Sequence, residues 1–292
     1  MSTEKIAFLF PGQGTLPDRL PDASPLTQSL VEKADQKGLR LAEWIDAGDT
    51  AQLTRTAAAQ PALFIASLSC EAMLRANGFL PSLVAGHSLG EYPALVSAGA
   101  LDPVVAFDIV LERGRLMDGV DGGMLAIVKL PIDRVEALCK EAGDDVTVAN
   151  LNSPAQAVVS GNHESLERLA AIARNEGGRA IPLKVSGPFH SPFMKPAEDA
   201  LASSIRAAAF SDPTVPIVSA VTGRVLQSAD DIRAIMLQQI TSPVRWIDVI
   251  ATLESQEITL AIEVGRGKTL SGLGPRITKS IRFATYEEAL HG

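Results

Sequence analysis

The sequence predicts an α/β protein: a mainly parallel sheet with helices on both faces, interrupted by a small inserted unit. Three observations predict it. Short apolar runs such as Ile6-Ala7-Phe8-Leu9-Phe10 alternate with amphipathic stretches through most of the chain, the pattern of strands buried between helical layers. The glycine pair Gly122-Gly123 marks a change of character, after which roughly 60 residues read βαββαβ, the order of a ferredoxin-like unit. The 292 residues are ample for one large domain plus such an insert.

The elements follow in order. Residues 6–10 are a buried strand, stopped by Pro11-Gly12 in "FPGQG". Residues 15–24 are polar and rich in Pro and Asp, hence loop. A helix follows over 24–37, and another over 60–77 with Pro61 near its first turn. Residues 83–85 are a short strand, and 89–97 have a helical pattern. Asp102 and Pro103 read as N-cap and first residue of a helix through Met117. In the insert, strands are expected at 124–130, 146–150, 156–160 and 180–185, and helices at 132–141 and 163–175. Asn152-Ser153-Pro154 supplies the turn between the middle strands. Beyond it come helices at 191–209, 229–240, 246–254 and 269–277, with strands at 215–221 and 259–264. The expected division is a large domain of residues 1–121 and 187–292 with a small domain of 122–186.

Composition excludes several classes. Hydrophobic residues make up 46% and charged residues 21%, ordinary for a globular protein. A net charge of −8 argues against non-specific binding to nucleic acid or an anionic membrane. Cys70 and Cys139 form no CxxC, which excludes a disulfide framework and a cysteine-rich zinc site. The N-terminus lacks the charged and apolar regions of a secretory signal, and no apolar run is read as a membrane span. The expectation is a cytoplasmic protein with no metal.

The stretch Gly86-His87-Ser88-Leu89-Gly90-Glu91-Tyr92 carries the chemistry. A strand before G-x-S-x-G and a helix after it place the serine on a sharp turn, the nucleophile elbow of α/β-hydrolase-like folds. The bland alternative is a structural glycine-rich turn. A serine nucleophile needs a base. The chain has four histidines. His291 is the penultimate residue, and His163 sits at a helix start where a cap or surface role suffices. His87 adjoins Ser88 on a tight turn and points elsewhere, although it can line the pocket. His190, stiffened by Pro188 and Pro192 in "VSGPFHSPFM", is the best base by elimination. No Asp or Glu stands out as a third member, and a backbone carbonyl can orient the imidazole instead.

Taken together, "FPGQG", "QPA" at 60–62, "GHSLGEY", "ERGRLM" at 112–117, "ANLNSPAQAVVSG" at 149–161, "VSGPFHSPFM" at 185–194, "TSPVRW" at 241–246 and "EVGRGKTLSGL" at 263–273 occur in a recognisable order. The chain resembles malonyl-CoA:acyl carrier protein transacylases over nearly its whole length. That family includes enzymes of fatty acid synthesis, acyltransferases of polyketide synthases and the transacylase subunit of malonate decarboxylase. The resemblance implies Ser88 as the acylated nucleophile and His190 as its base. It implies the backbone amides of Gln13 and Leu89 as the oxyanion hole, and Arg113 as the partner of the malonyl carboxylate. Gln239, beside Gln238, matches the residue whose main-chain carbonyl orients the histidine. Phe189 resembles malonyl-specific rather than methylmalonyl-specific members, where a bulky ring crowds an α-methyl branch. An arginine fork suits a free carboxylate, although an arbitrary helical arginine is usually solvated. Glu91 and Tyr92 mark the resemblance with no role assigned.

The sequence departs from the family pattern at Thr15-Leu16-Pro17-Asp18, at Arg266 in "EVGRG", at Gly187-Pro188 and in a short C-terminus. These positions bear on the physiological partner rather than on Ser88, His190 and Arg113. The resemblance implies malonyl-CoA as substrate, an acyl carrier protein as acceptor, no permanently bound cofactor and action as a monomer. An acidic carrier calls for a basic patch near the mouth, for which Arg115, Lys184, Lys195, Arg266, Lys268 and Arg276 are candidates. Two rival readings remain at this point: an editing thioester hydrolase on the same scaffold, and a non-catalytic subunit of a larger complex.

Overall fold

The computed structural model describes residues 4–14 and 24–291. The expected loop 15–24 lies, apart from Ser24, outside the described residues, as does the Thr15–Asp18 departure.

Strand β1 (Ile6–Phe10) is followed by helices α1 (Pro25–Gln36), α2 (Leu41–Asp46), α3 (Thr50–Leu53) and α4 (Thr56–Ala76). Strand β2 (Leu83–Gly86), a 3-10 turn (Ser88–Gly90), α5 (Glu91–Ser97) and α6 (Pro103–Met117) come next. Then the chain makes β3 (Gly123–Val128), α7 (Ile132–Ala142), β4 (Val146–Ser153), β5 (Gln156–Gly161), α8 (His163–Asn175) and β6 (Arg179–Pro182). It continues with a 3-10 turn (Pro192–Met194), α9 (Lys195–Ala207), β7 (Ile217–Val218), β8 (Val225–Leu226) and α10 (Ala229–Met236). It closes with α11 (Trp246–Ser255), β9 (Leu260–Glu263), α12 (Thr269–Leu273), β10 (Arg282–Ala284) and α13 (Tyr286–His291).

Two sheets result. The larger has the order β10-β9-β1-β2-β7-β8 and is parallel except for the β7–β8 hairpin. The smaller is antiparallel, in the order β4-β5-β3-β6, with α7 and α8 packed on it. That is the ferredoxin-like arrangement the βαββαβ order predicts. The central strands of the large sheet are buried on both faces, by separate apolar clusters, which is why they read as continuous apolar runs. Because β1 and β2 are parallel and pair Phe10 with Gly86, the loops that leave them emerge side by side at the C-terminal edge. Ligand sites of open α/β sheets form at that edge. The small sheet reaches it through β4, where Val244 N donates to Ala149 O at 2.8 Å and Leu151 N to Val244 O at 2.8 Å.

Local chemistry sets the helix ends. Ser24 caps α1 ahead of Pro25, and Asp102 accepts from Val104 N and Val105 N at 2.8 and 3.1 Å ahead of Pro103. Asn162 caps α8 through Ser165 N at 2.8 Å.

Several elements differ from expectation. Helix α4 starts at Thr56, so Pro61 lies inside it rather than in its first turn. This 21-residue helix is also long and apolar enough by composition to cross a membrane, which the sequence reading missed. It is mostly buried, packed between α1, α5 and α6. The strand expected at 215–221 is cut to Ile217–Val218 because Ala220 N is diverted to Glu91 Oε1 at 2.8 Å, while Ala220 O accepts from Arg245 N. The helix expected to reach Ile240 ends at Met236, and the carbonyls of Gln239 and Ile240 turn to His190 instead. Pro192–Met194 form a 3-10 turn before α9, with Pro192 and Pro196 near the starts of the two segments. Asn152 and Ser153 belong to β4 and not to a turn. Helices α2, α3 and α13 and strands β8 and β10 were too short to carry a periodic signal.

Candidate active site

Ser88 stands between β2 and α5 with φ of 52°, in the left-handed region that a non-glycine residue enters only when its surroundings force it. The two flanking glycines explain the force. A Cβ on Gly86 would lie 2.1 Å from the Gly90 carbonyl, and one on Gly90 would lie 2.0 Å from Phe10 O. No side chain fits at either place, so the turn folds onto itself and onto the end of β1. His87 N donates to Phe10 O at 2.9 Å. A Cβ on Gly12 would meet His87 O at 2.7 Å. The "FPGQG" loop is therefore laid along the elbow through contacts of the backbone itself. The Gln13 side chain reaches Thr56 Oγ1 at 3.4 Å. The helical pattern expected from Leu89 begins as a 3-10 turn and becomes α-helical at Glu91.

His190 arrives from the far side of the chain. Its Nε2 is 2.7 Å from Ser88 Oγ. Its backbone also has a left-handed φ, 57°, held by His190 N donating to Ile240 O at 3.1 Å. Nδ1 faces the carbonyl oxygens of Ser242 at 2.9 Å and Gln239 at 3.2 Å. Carbonyls only accept, so Nδ1 carries the proton and the Nε2 lone pair faces the serine hydroxyl. Ser242, the nearer carbonyl, was not anticipated. Gln239 is buried while Gln238 is exposed, which separates these neighbours. Burial, and then the Arg113 and His87 charges, pull the His190 pKa down to about 3 against the two carbonyl bonds. The ring is neutral at pH 7.

Arg113 projects from α6 and is 1% exposed. Gly114 permits this: its Cα sits so close to the start of α4 that a Cβ would lie 3.1 Å from Thr56 O. Nη1 donates to Gln60 Oε1 at 2.7 Å, and Nη2 to Gln239 Oε1 at 3.2 Å and to Ser88 Oγ at 3.3 Å. Nε is buried with no hydrogen-bond partner among the described residues. The guanidinium also stands over the Tyr92 ring, 5.7 Å from its centroid. Burial lowers its pKa, with Tyr92 and Glu91 opposing; the guanidinium stays charged.

Glu91 was left without a role by sequence reasoning. It is 2% exposed, accepts from Ala220 N at 2.8 Å and from Gln239 Nε2 at 2.6 Å, and lies in the field of Arg113. Desolvation raises its pKa to about 7. The available signal was a carboxylate placed in a run of apolar positions, Tyr92 to Leu95, where a solvent-facing residue is not expected. Gln60, in the quoted "QPA", was likewise not singled out.

His87 does not turn to Ser88. Its Nε2 lies 3.0 Å from Asn152 Oδ1 on β4, its ring centroid is 5.4 Å from that of Trp246, and burial lowers its pKa. Phe189 is buried in one apolar cluster with Met117 of α6, Met124 and Val158 of the small sheet, and Ile240. Arg115 points away from the site. It lines a cleft of about 480 Å³ with Lys37, Leu39 and Asp108, on the side of α6 opposite Arg113. Lys195 is paired with Glu198 and Asp199 at 2.6 and 2.9 Å, and Arg276 donates to Gln156 Oε1 at 2.9 Å.

Strand, strained serine turn and helix, with a histidine on the serine, define an α/β enzyme of the nucleophile-elbow class. The model of the family described as acyl transferase domain matches residues 7–270, and the chain belongs to that family. It is 38% identical to the malonyl CoA-acyl carrier protein transacylase of Bacillus subtilis, over 95% of this chain and 92% of that protein. The Escherichia coli K12 protein of the same name is 35% identical, over 97% and 96%. Among solved structures it is similar to the acyl-carrier-protein S-malonyltransferase of Burkholderia pseudomallei, with a TM-score of 0.91, 34% identity and coverage of 99% and 100%. A malonyl-transacylase in complex with a type II PKS acyl-carrier protein gives a TM-score of 0.90, 36% identity and coverage of 97% and 96%.

Proposed function

We propose that the protein moves a malonyl group from malonyl-CoA to the phosphopantetheine thiol of an acyl carrier protein, in two half-reactions through a malonyl ester of Ser88. The observation that carries this reading is the buried Arg113 beside Ser88. Its Nε has no hydrogen-bond partner among the described residues, and its Nη2 is 3.3 Å from Ser88 Oγ. Such a group recognises an acyl chain that ends in a free carboxylate.

His190 takes the Ser88 proton at Nε2 as Oγ attacks the thioester carbon. The backbone amides of Gln13 and Leu89 receive the oxyanion. The thiolate of coenzyme A leaves with the proton from His190. The malonyl ester is then held by Arg113 until the carrier thiol gives its proton to His190 and attacks the same carbon; the ester bond breaks and Ser88 Oγ leaves with the proton that His190 returns. The Gln239 and Ser242 carbonyls keep the imidazole tautomer through both halves. Phe189 limits branching at the α-carbon, and His87 with Asn152 lines the approach. In this reading the enzyme is a cytoplasmic monomer, and residues 122–186 form a small domain inserted between 1–121 and 187–292. Lys184, Arg266 and Lys268 remain candidates for the carrier's acidic surface.

Incubation with malonyl-CoA followed by intact-mass measurement tests the first half. A malonyl-sized gain on the wild type, absent from Ser88→Ala and discharged by holo acyl carrier protein, is expected. Free malonate released without labelling of the carrier would replace transfer with hydrolysis.

A further inference from the structure

Arg113 has to point its fork consistently, yet its position rests on side-chain amides that can rotate by half a turn at little cost. Gln239 is the critical one: reversed, its amide would present N–H groups to the guanidinium, and two donors would face each other. What prevents reversal is on the other side of Gln239. Its Nε2 donates to Ser88 O at 2.9 Å and to Glu91 Oε2 at 2.6 Å. Glu91 Oε1 is committed to Ala220 N at 2.8 Å. Toward both donors Glu91 must be an acceptor, and only a carboxyl group supplies an acceptor oxygen to each.

We propose that Glu91 is a positioning residue for acyl-chain selection: by accepting from Gln239 Nε2 it turns Gln239 Oε1 toward Arg113, and so aims the guanidinium beside Ser88. Glu91 touches no reacting atom. It acts through one amide, which carries its effect to Arg113 by the side chain, while the same residue's main-chain carbonyl faces His190 Nδ1 at 3.2 Å. The inference rests on the reading of Arg113 as the carboxylate partner.

The discriminating quantity is the ratio of kcat/KM for malonyl-CoA over acetyl-CoA, because acetyl lacks the carboxylate. General damage to the site lowers both numbers and leaves the ratio alone. Glu91→Gln replaces one acceptor oxygen with an N–H donor, and the ratio should fall roughly tenfold, the size of one misplaced charged hydrogen bond. Glu91→Asp, which keeps both acceptors, should retain more of the ratio than Glu91→Gln. In the double variant Glu91→Gln/Gln239→Met the ratio should equal that of Gln239→Met alone, since both changes break one link. Should Glu91→Gln not accumulate as folded protein, Gln239→Met compared with Glu91→Asp reads the same link: the ratio should fall in Gln239→Met and be better retained in Glu91→Asp. An unchanged ratio in these variants, while Arg113→Ala collapses it, would overturn this inference and leave the malonyl reading intact. An unchanged ratio in Arg113→Ala would overturn both.

Discussion

Ser88 and His190 meet at 2.7 Å with both backbones in the left-handed region, at φ of 52° and 57°. Each strained residue is clamped by main-chain bonds from another element: the elbow by Phe10, the histidine by Ile240. Strain at both partners of one hydrogen bond fixes a short contact that neither segment would hold alone.

The pH dependence of the pair follows from burial. With the His190 pKa lowered to about 3, the imidazole is already neutral at pH 5. The acid limb of kcat/KM should therefore contain no step near pH 6.5 from this group. A pH profile of malonyl transfer by the wild type and by Glu91→Gln checks it, and a limb centred at 6 to 7 that persists in Glu91→Gln would contradict a neutral buried His190. His190→Ala should reduce kcat by roughly 10²–10⁴-fold while leaving malonyl-CoA binding nearly intact.

Arg113→Ala should cut kcat/KM for malonyl-CoA by about 10–100-fold, the worth of hydrogen bonds to a charged group. Arg113→Lys should recover little, since an ammonium cannot reproduce the planar fork. Steady-state kinetics of the three proteins on malonyl-CoA decides this; full recovery in the lysine variant would mean that charge alone is recognised.

Gly90→Ala places a methyl group 2.0 Å from Phe10 O, a backbone atom that cannot swing away. The expected cost is above about 3 kcal/mol, with loss of transfer activity. Chemical denaturation measures it. A variant as stable as the wild type would show that the β1 loop and the elbow are not in rigid contact.

Glu91 has a folded-state pKa of about 7, raised above the ordinary carboxylate value chiefly by burial. The folded protein thus holds a proton that the unfolded chain releases near pH 4.5. Relative to a Glu91→Gln variant, the wild type should lose stability as pH rises from about 4.5 to 7, and the difference should be flat above. Parallel denaturation curves at pH 5, 6, 7 and 8 check it, and a difference that grows in the wild type's favour with rising pH would reverse the sign.

Much of this was legible in the residues, for local reasons. Asp102-Pro103 placed the start of α6, Asn162 sits one residue before α8, and two glycines around Ser88 placed the elbow. Each signal acts within a few positions, through a cap, a fixed φ or a missing Cβ. The ends of the 215–221 and 229–240 segments were not legible. Their backbone groups leave the regular pattern for partners far away in sequence, Ala220 for Glu91 and Ile240 for His190. The long helix α4 was under-read because a proline inside it looked like a beginning.

The sequence by itself determined an α/β chain with a small βαββαβ unit, a serine on a sharp turn and a short list of histidines, because sterics and periodicity act along neighbouring residues. Only the tertiary structure decided which groups share the site. His190 lies 102 positions from Ser88, and Gln239 lies 148 positions from Glu91. Their meeting depends on strand register and on the docking of buried main-chain donors and acceptors, and no local rule encodes either. Glu91 is the clearest case: in the sequence it is an unexplained carboxylate after a glycine, and in the fold it is the acceptor on which the orientation of Gln239, next to Arg113, depends.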